Sequence, residues 1–218
     1  MKIFSFISSV STLLPIVFFL CFFKRNRGTG LWVIFFYVLL SFSTDISFAI
    51  VKSKVFHFHA LYSFTILEYL LFTGFLYLNL HSQTIKKVLL FGSITFIAFA
   101  TFSLLKKTDY KFDSLPASIE AILVICYCVL FFYEQLKSPE SPFIYSSKSF
   151  WITVAMLVYL AATLCLFIST AYISDEERKV YWPINYAANF IKNAMLSIAF
   201  ILKPGTKQSS SIQKTYNI

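Results

Sequence analysis

Asp45, Glu68, Glu120 and Lys192 each interrupt an otherwise apolar stretch of the chain, and Asn185, Asn189 and Asn193 surround the lysine. Carboxylates and an ammonium held away from water suit three kinds of chemistry: mutual neutralisation as a clasp, proton transfer, or capture of a polar ligand. The asparagines recur every fourth residue and Lys192 follows Asn189 by three, so all four share one face of a helix. Glu68 or Asp45 is the expected partner of Lys192, since pairing at similar depth neutralises both charges. Such a pair would serve either as a structural clasp or as the centre of a proton- or ligand-sensitive switch.

The elements that carry these groups follow from composition. With 58% hydrophobic and 13% charged residues, a 218-residue chain lacks the polar surface to cover a soluble globule, which excludes that class. Apolar windows predict an all-α polytopic bundle of seven transmembrane helices at about 3–23, 30–50, 60–80, 88–105, 116–136, 150–173 and 182–203. A polar tail, 204–218, is expected to be disordered. The runs are continuous and lack the alternation of a membrane barrel, and helices satisfy their own backbone in lipid. Lys24-Arg25-Asn26-Arg27 after the first run reads as a stop signal on a retained helix.

Pro116 and Pro183 stand at helix starts, where a missing N–H is harmless. Ser138-Pro139-Glu140-Ser141-Pro142 reads as an interhelical break. Ten Lys and Arg fall on one side of the seven-span topology and eight on the other, a small bias that the cluster at Lys24–Arg27 reinforces. The expected orientation is amino terminus out and carboxyl terminus in, across the inner (cytoplasmic) membrane. Asp175-Glu176-Glu177 would then lie outside.

Depth links the buried polar groups. Asp45, Glu120, Asn185 and Asn189 all lie within a few residues of helix ends on one common side, and Glu68 and Lys192 lie deeper from that same side. A central charge costs about 2.5–3.5 kcal/mol on insertion scales, so several in one half of the bilayer should face each other or water. The expectation is an outward-opening pocket formed by Asp45, Glu68, Glu120, Asn185, Asn189, Lys192 and Asn193. Independent roles, including snorkelling of Glu120 to the headgroups, are the alternative.

Other side chains say less. Tyr62, Ser63 and Tyr69 give the third helix a mixed edge around Glu68, and Tyr37, Tyr127, Tyr159 and Tyr186 could donate to buried carboxylates, although thirteen tyrosines make chance placement common. His57 and His59 are expected in a solvated loop with Lys52 and Lys54, His81 stands alone, and Glu134 reads as a rim residue without an evident partner. Cys21, Cys126, Cys128 and Cys165 are expected as small buried side chains, with no metal-ligand spacing and no disulfide framework. No cofactor motif and no nucleic-acid motif is present, and the +9 charge belongs to the connections between helices.

Several motifs carry a resemblance. Ser118-Ile119-Glu120-Ala121-Ile122 with Tyr133-Glu134-Gln135-Leu136, Phe150-Trp151-Ile152 with Tyr159-Leu160, and Trp182-Pro183-Ile184-Asn185 running into Asn189-Phe190-Ile191-Lys192-Asn193 are the matching pieces. They resemble a set of uncharacterised seven-helix membrane proteins of Bacteroidota genomes, some encoded near histidine kinases. The resemblance covers about half the chain and implies Glu120, Glu134, Asn185, Asn189, Lys192 and Asn193 as family positions. Pro183 and the Ala187-Ala188 pair depart from the pattern. Gene neighbourhood implies a signalling setting with a membrane partner such as a histidine kinase.

Three functions are weighed on these residues. A sensory or accessory membrane protein signalling through a partner leads, because a polar outward half occurs without an effector domain. A solute transporter or proton/ion pathway is second, although no internal repeat is visible. An intramembrane enzyme is third, since neither a nucleophile–base pair nor an aspartate pair stands out. Ligand identity and oligomeric state are not legible.

Overall fold

The computed structural model describes residues 2–106, 114–137, 146–170 and 180–203. The break at 138–142, the acidic stretch 175–177 and the tail 204–218 lie outside the described residues. Among the described residues there are eight helices of two turns or more: α1 (Lys2–Ser11), α2 (Leu13–Cys21), α3 (Thr29–Ile50), α4 (Lys54–Asn79), α5 (Gln83–Lys106), α6 (Ser114–Lys137), α7 (Lys148–Thr170) and α8 (Pro183–Ile201). Among the described residues there is no strand.

Five of these helices, α3 to α7, are long and apolar enough to cross a membrane. Their outward side chains agree with lipid as the solvent: Phe36, Phe91 and Leu105 are 55%, 74% and 80% exposed. The chain is therefore a multi-pass helical membrane protein. α8 falls short in apolarity because Asn185, Asn189, Lys192 and Asn193 lie along it. The groups that weaken it as a span are those with candidate chemistry.

The first apolar run divides in two. Pro15 has no N–H to offer the carbonyl of Ser11, and its ring crowds that carbonyl. The chain tightens there, with Thr12 N–H reaching Ser9 O at 3.3 Å and Ser11 Oγ donating to Ser8 O at 2.6 Å. The break leaves Ser8, Ser11 and Thr12 buried in a row on the inner face.

α4 begins earlier than the apolar window suggests. Ser53 caps it, its hydroxyl accepting from Phe56 N–H at 3.4 Å, so His57 and His59 belong to a helix and not to a loop. His57 Nε2 lies 2.5 Å from Val51 O, and its ring meets Phe48 edge-on. The cysteines depart from expectation too, since only Cys128 is buried and Cys21, Cys126 and Cys165 face outward.

Packing closes seven of these helices into a ring. α1 and α2 together pack on α8, α8 on α7, α7 on α6, α6 on α4, α4 on α3, and α3 back on α2. α5 stands outside, in the seam between α4 and α6. Gly92 permits that docking: a Cβ there would fall 2.0 Å from Tyr127 Oη, and Tyr127 in turn meets Tyr69 Oη at 3.3 Å. A ring of helices has an axis, and its two ends differ.

Candidate functional site

At the end shared by the start of α1, the end of α3 and the start of α8, the ring opens into a cavity of about 410 Å³. Six of the ring helices, α1, α3, α4, α6, α7 and α8, line it, and α5 contributes nothing. α3 supplies Ser41, Thr44 and Asp45, α4 supplies Thr65 and Glu68, and α6 supplies Glu120. Tyr159 and Thr163 come from α7, Ser8 and Ser9 from α1, and Asn185, Tyr186 and Asn189 from α8. Trp182, at the start of α8, completes the wall.

Five of the seven candidate residues thus meet around one space, and Lys192 and Asn193 do not line it. Asn193 is a fastener. Its Nδ2 donates to Ser11 Oγ at 2.9 Å and approaches Thr12 Oγ1 at 3.3 Å, tying α8 to the break between α1 and α2. Asn189 does the same one turn higher, donating to Ser8 Oγ at 2.9 Å while still bordering the cavity. The hydroxyls of Ser8, Ser11 and Thr12 were not legible as partners, because a serine or threonine in a helix already has its own carbonyls to bond.

Lys192 lies under the floor, 1% exposed. Its expected direct pairing with Glu68 or Asp45 is replaced by a relay. Lys192 Nζ donates to Tyr37 Oη at 2.5 Å, and Tyr37 donates to Glu68 Oε1 at 2.8 Å. The ammonium also stands 4.0 Å from the Tyr159 ring centroid and 4.8 Å from that of Tyr37. Two aromatic faces and one hydroxyl take over part of the role of water around the cation. A phenol between base and acid fits the span from α8 to α4 that neither side chain closes by itself.

Two carboxylate oxygens in the cavity have no donor. Glu120 is 2% exposed and its Oε1 is unpartnered, and Asp45 Oδ2 is buried without a bond. A buried acceptor left unpaired costs about 1–3 kcal/mol, and more where it is charged. Both atoms could accept a hydrogen bond from a donor placed in the cavity.

Beneath the relay large apolar side chains fill the interior, among which the hydroxyls of Thr153 and Ser197 bond back to carbonyls of their own helices and Thr73 Oγ1 is buried. Ile34, Phe72, Leu76, Met156, Leu196 and Phe200, one to two turns further along their helices, are each at most 1% exposed. Phe19 fills the same level, stacked at 4.1 Å on Phe35 and edge-on to Phe200. The cavity has a polar floor on an apolar plug.

Beyond the plug lies a second polar cluster. Arg25 donates to the carbonyl of Ile201, Asn26 Nδ2 to that of Phe200 at 3.2 Å, and Lys148 Nζ to Arg25 O and Asn26 Oδ1 at 3.1 and 2.5 Å. These bonds close the free end of α8 onto the start of α7. Asn79 and Ser149 join α4 to α7 at 2.7 Å, and Gly30 allows Asn79 close to α3. Glu134 also proves to have partners: it accepts from the N–H groups of His81 and Ser82 at 2.5 and 3.0 Å, holding the start of α5.

Fold and site together define a polytopic helical membrane protein with a polar cavity at one end of its ring, and the basic end carries a second recess of about 720 Å³ bordered by Thr29, Asn79, Lys148 and Ser149. No protein-family model, curated protein or solved structure matches this chain.

Proposed function

We propose that this chain is a sensory or accessory protein of the cytoplasmic membrane, binding a small ligand from the outer side and acting through a membrane partner. The observation that carries the reading is the cavity with a polar floor resting on an apolar plug. Such a space can be occupied from one side, and occupancy can shift the bundle only by differential affinity for two of its states. On this reading α1 and α2 form one span, α8 the seventh, and the end bearing Lys24, Arg25, Arg27, Lys86, Lys87, Lys137, Lys148 and Lys203 faces the cytoplasm. The basic end would meet the partner, for which a histidine kinase is the candidate drawn from the Bacteroidota resemblance. The protein works by binding, not as an enzyme.

The chain from Glu68 through Tyr37 to Lys192 favours one second reading, a proton-coupled transporter. Sided labelling separates the two. Asn185→Cys and Asp45→Cys, in a background without native cysteines, are exposed in oriented vesicles to an impermeant thiol reagent. Reaction from the outer side alone is expected. Reaction from the basic side at either position would sink the one-sided pocket, and solute-dependent access from both sides, with accumulation of that solute, would establish transport.

A further inference from the structure

We propose that the cavity takes a small organic ammonium ion. The inference deepens the pocket reading and rests on it. Three carboxylates, Asp45, Glu68 and Glu120, border the space, whereas among the described residues the network's one cation, Lys192, is beneath the floor and already spent on Tyr37. A ligand in the cavity therefore meets an excess of acceptors.

The acceptors also stand apart. Glu120 Oε1 on α6 and Asp45 Oδ2 on α3 are both buried and both lack a donor. An anion would leave them unmet and add repulsion, and a purely apolar occupant would leave them unmet. Among the described residues no three metal-ligating side chains converge, which argues for a donor spread over a molecule and against a bare divalent ion. The rest of the lining suits such a molecule. Phe64, Tyr159, Trp182 and Tyr186 present aromatic surface to the same space, and aromatic rings attract ammonium groups as well as hydrocarbon. At about 410 Å³ the cavity sits in the range of small-molecule sites.

The test uses the full chain in lipid nanodiscs and calorimetric titration with three matched pairs. Phenethylammonium is set against 2-phenylethanol, choline against 3,3-dimethylbutanol, and butane-1,4-diammonium against butane-1,4-diol. At least one ammonium is expected to bind roughly tenfold or more tighter than its neutral mate, from charge-assisted hydrogen bonding to the free carboxylate oxygens. Glu120→Gln and Asp45→Asn should each weaken that ammonium by a similar factor while leaving its neutral mate unaffected. Ser63→Ala, outside the cavity, should change nothing. If either acid variant fails to fold, the matched-pair difference in the unaltered protein decides. Equal binding within every pair, or no binding by any ammonium while Asn185→Cys still reacts from the outer side alone, overturns the ammonium assignment and leaves the pocket standing. Reaction of Asn185→Cys from the basic side overturns the pocket reading itself.

Discussion

Asn26 and Glu120 are buried to nearly the same degree at opposite ends of the bundle, and their surroundings differ in kind. Asn26 has both polar atoms engaged, Nδ2 on the Phe200 carbonyl and Oδ1 on Lys148. Glu120, 2% exposed, keeps Oε1 without any donor. At the basic end polar side chains close helix termini that lipid could not satisfy. At the other end two buried carboxylate oxygens are left without a donor, at a cost to the fold. The basic end is not without remainder, since Arg25 Nε lacks a partner, but that atom belongs to a side chain already bonded through its terminal nitrogen.

Breaking the relay should have the largest effect. Lys192→Met leaves Tyr37 and Glu68 facing an apolar plug without their cation, a change expected to destabilise by roughly 3–5 kcal/mol. Equilibrium unfolding in mixed micelles would measure it. Combining Lys192→Met with Glu68→Gln should recover part of the loss, and strictly additive effects would show that the two ends of the relay are not coupled.

Tyr37→Phe comes next. It removes the hydroxyl that both Lys192 and Glu68 use, and about 2–3 kcal/mol should disappear in the same assay. A loss near zero would mean that acid and base rejoin directly when the phenol is absent.

Asn26→Ala tests the basic end, where it would orphan the Phe200 carbonyl and one bond of Lys148. The expected loss is about 1–3 kcal/mol, with faster proteolysis near the end of α8. The smallest effect sharpens the contrast most. Glu120→Gln replaces an unpaired carboxylate by a neutral isostere and should leave stability within about 0.5 kcal/mol or raise it, as expected where a functional group is kept against the interest of the fold. A loss as large as that of Asn26→Ala would make Glu120 structural and erase the difference between the two ends.

How far these features were legible varies residue by residue. The α8 face was readable because helical spacing is a property of the chain alone, and Asn185 and Asn189 do reach the cavity. Asn193, on the same stripe, fastens the break at Thr12, because a stripe only a few residues wide still spans two neighbours in a ring of helices. Tyr37 was one of four tyrosines named as donors to a buried carboxylate, and it does donate to Glu68, but nothing local ties it to Lys192. Glu134 read as solitary because its partners, the backbone N–H groups of His81 and Ser82 and the His81 ring, stand just before α5, more than fifty residues away in the chain.

By itself the sequence determined the solvent and the all-helical class. Hydropathy and run length dictate helices in lipid, since the backbone must bond internally there, and they show that polar groups are concentrated towards one end. Only the tertiary structure decided that α5 stands outside the ring, that Lys192 reaches Glu68 through Tyr37, and that Glu120 is left without a donor. Those outcomes depend on which helix lies beside which. Side chains from α3, α4, α6, α7 and α8 meet at distances set by packing, and no local pattern encodes them.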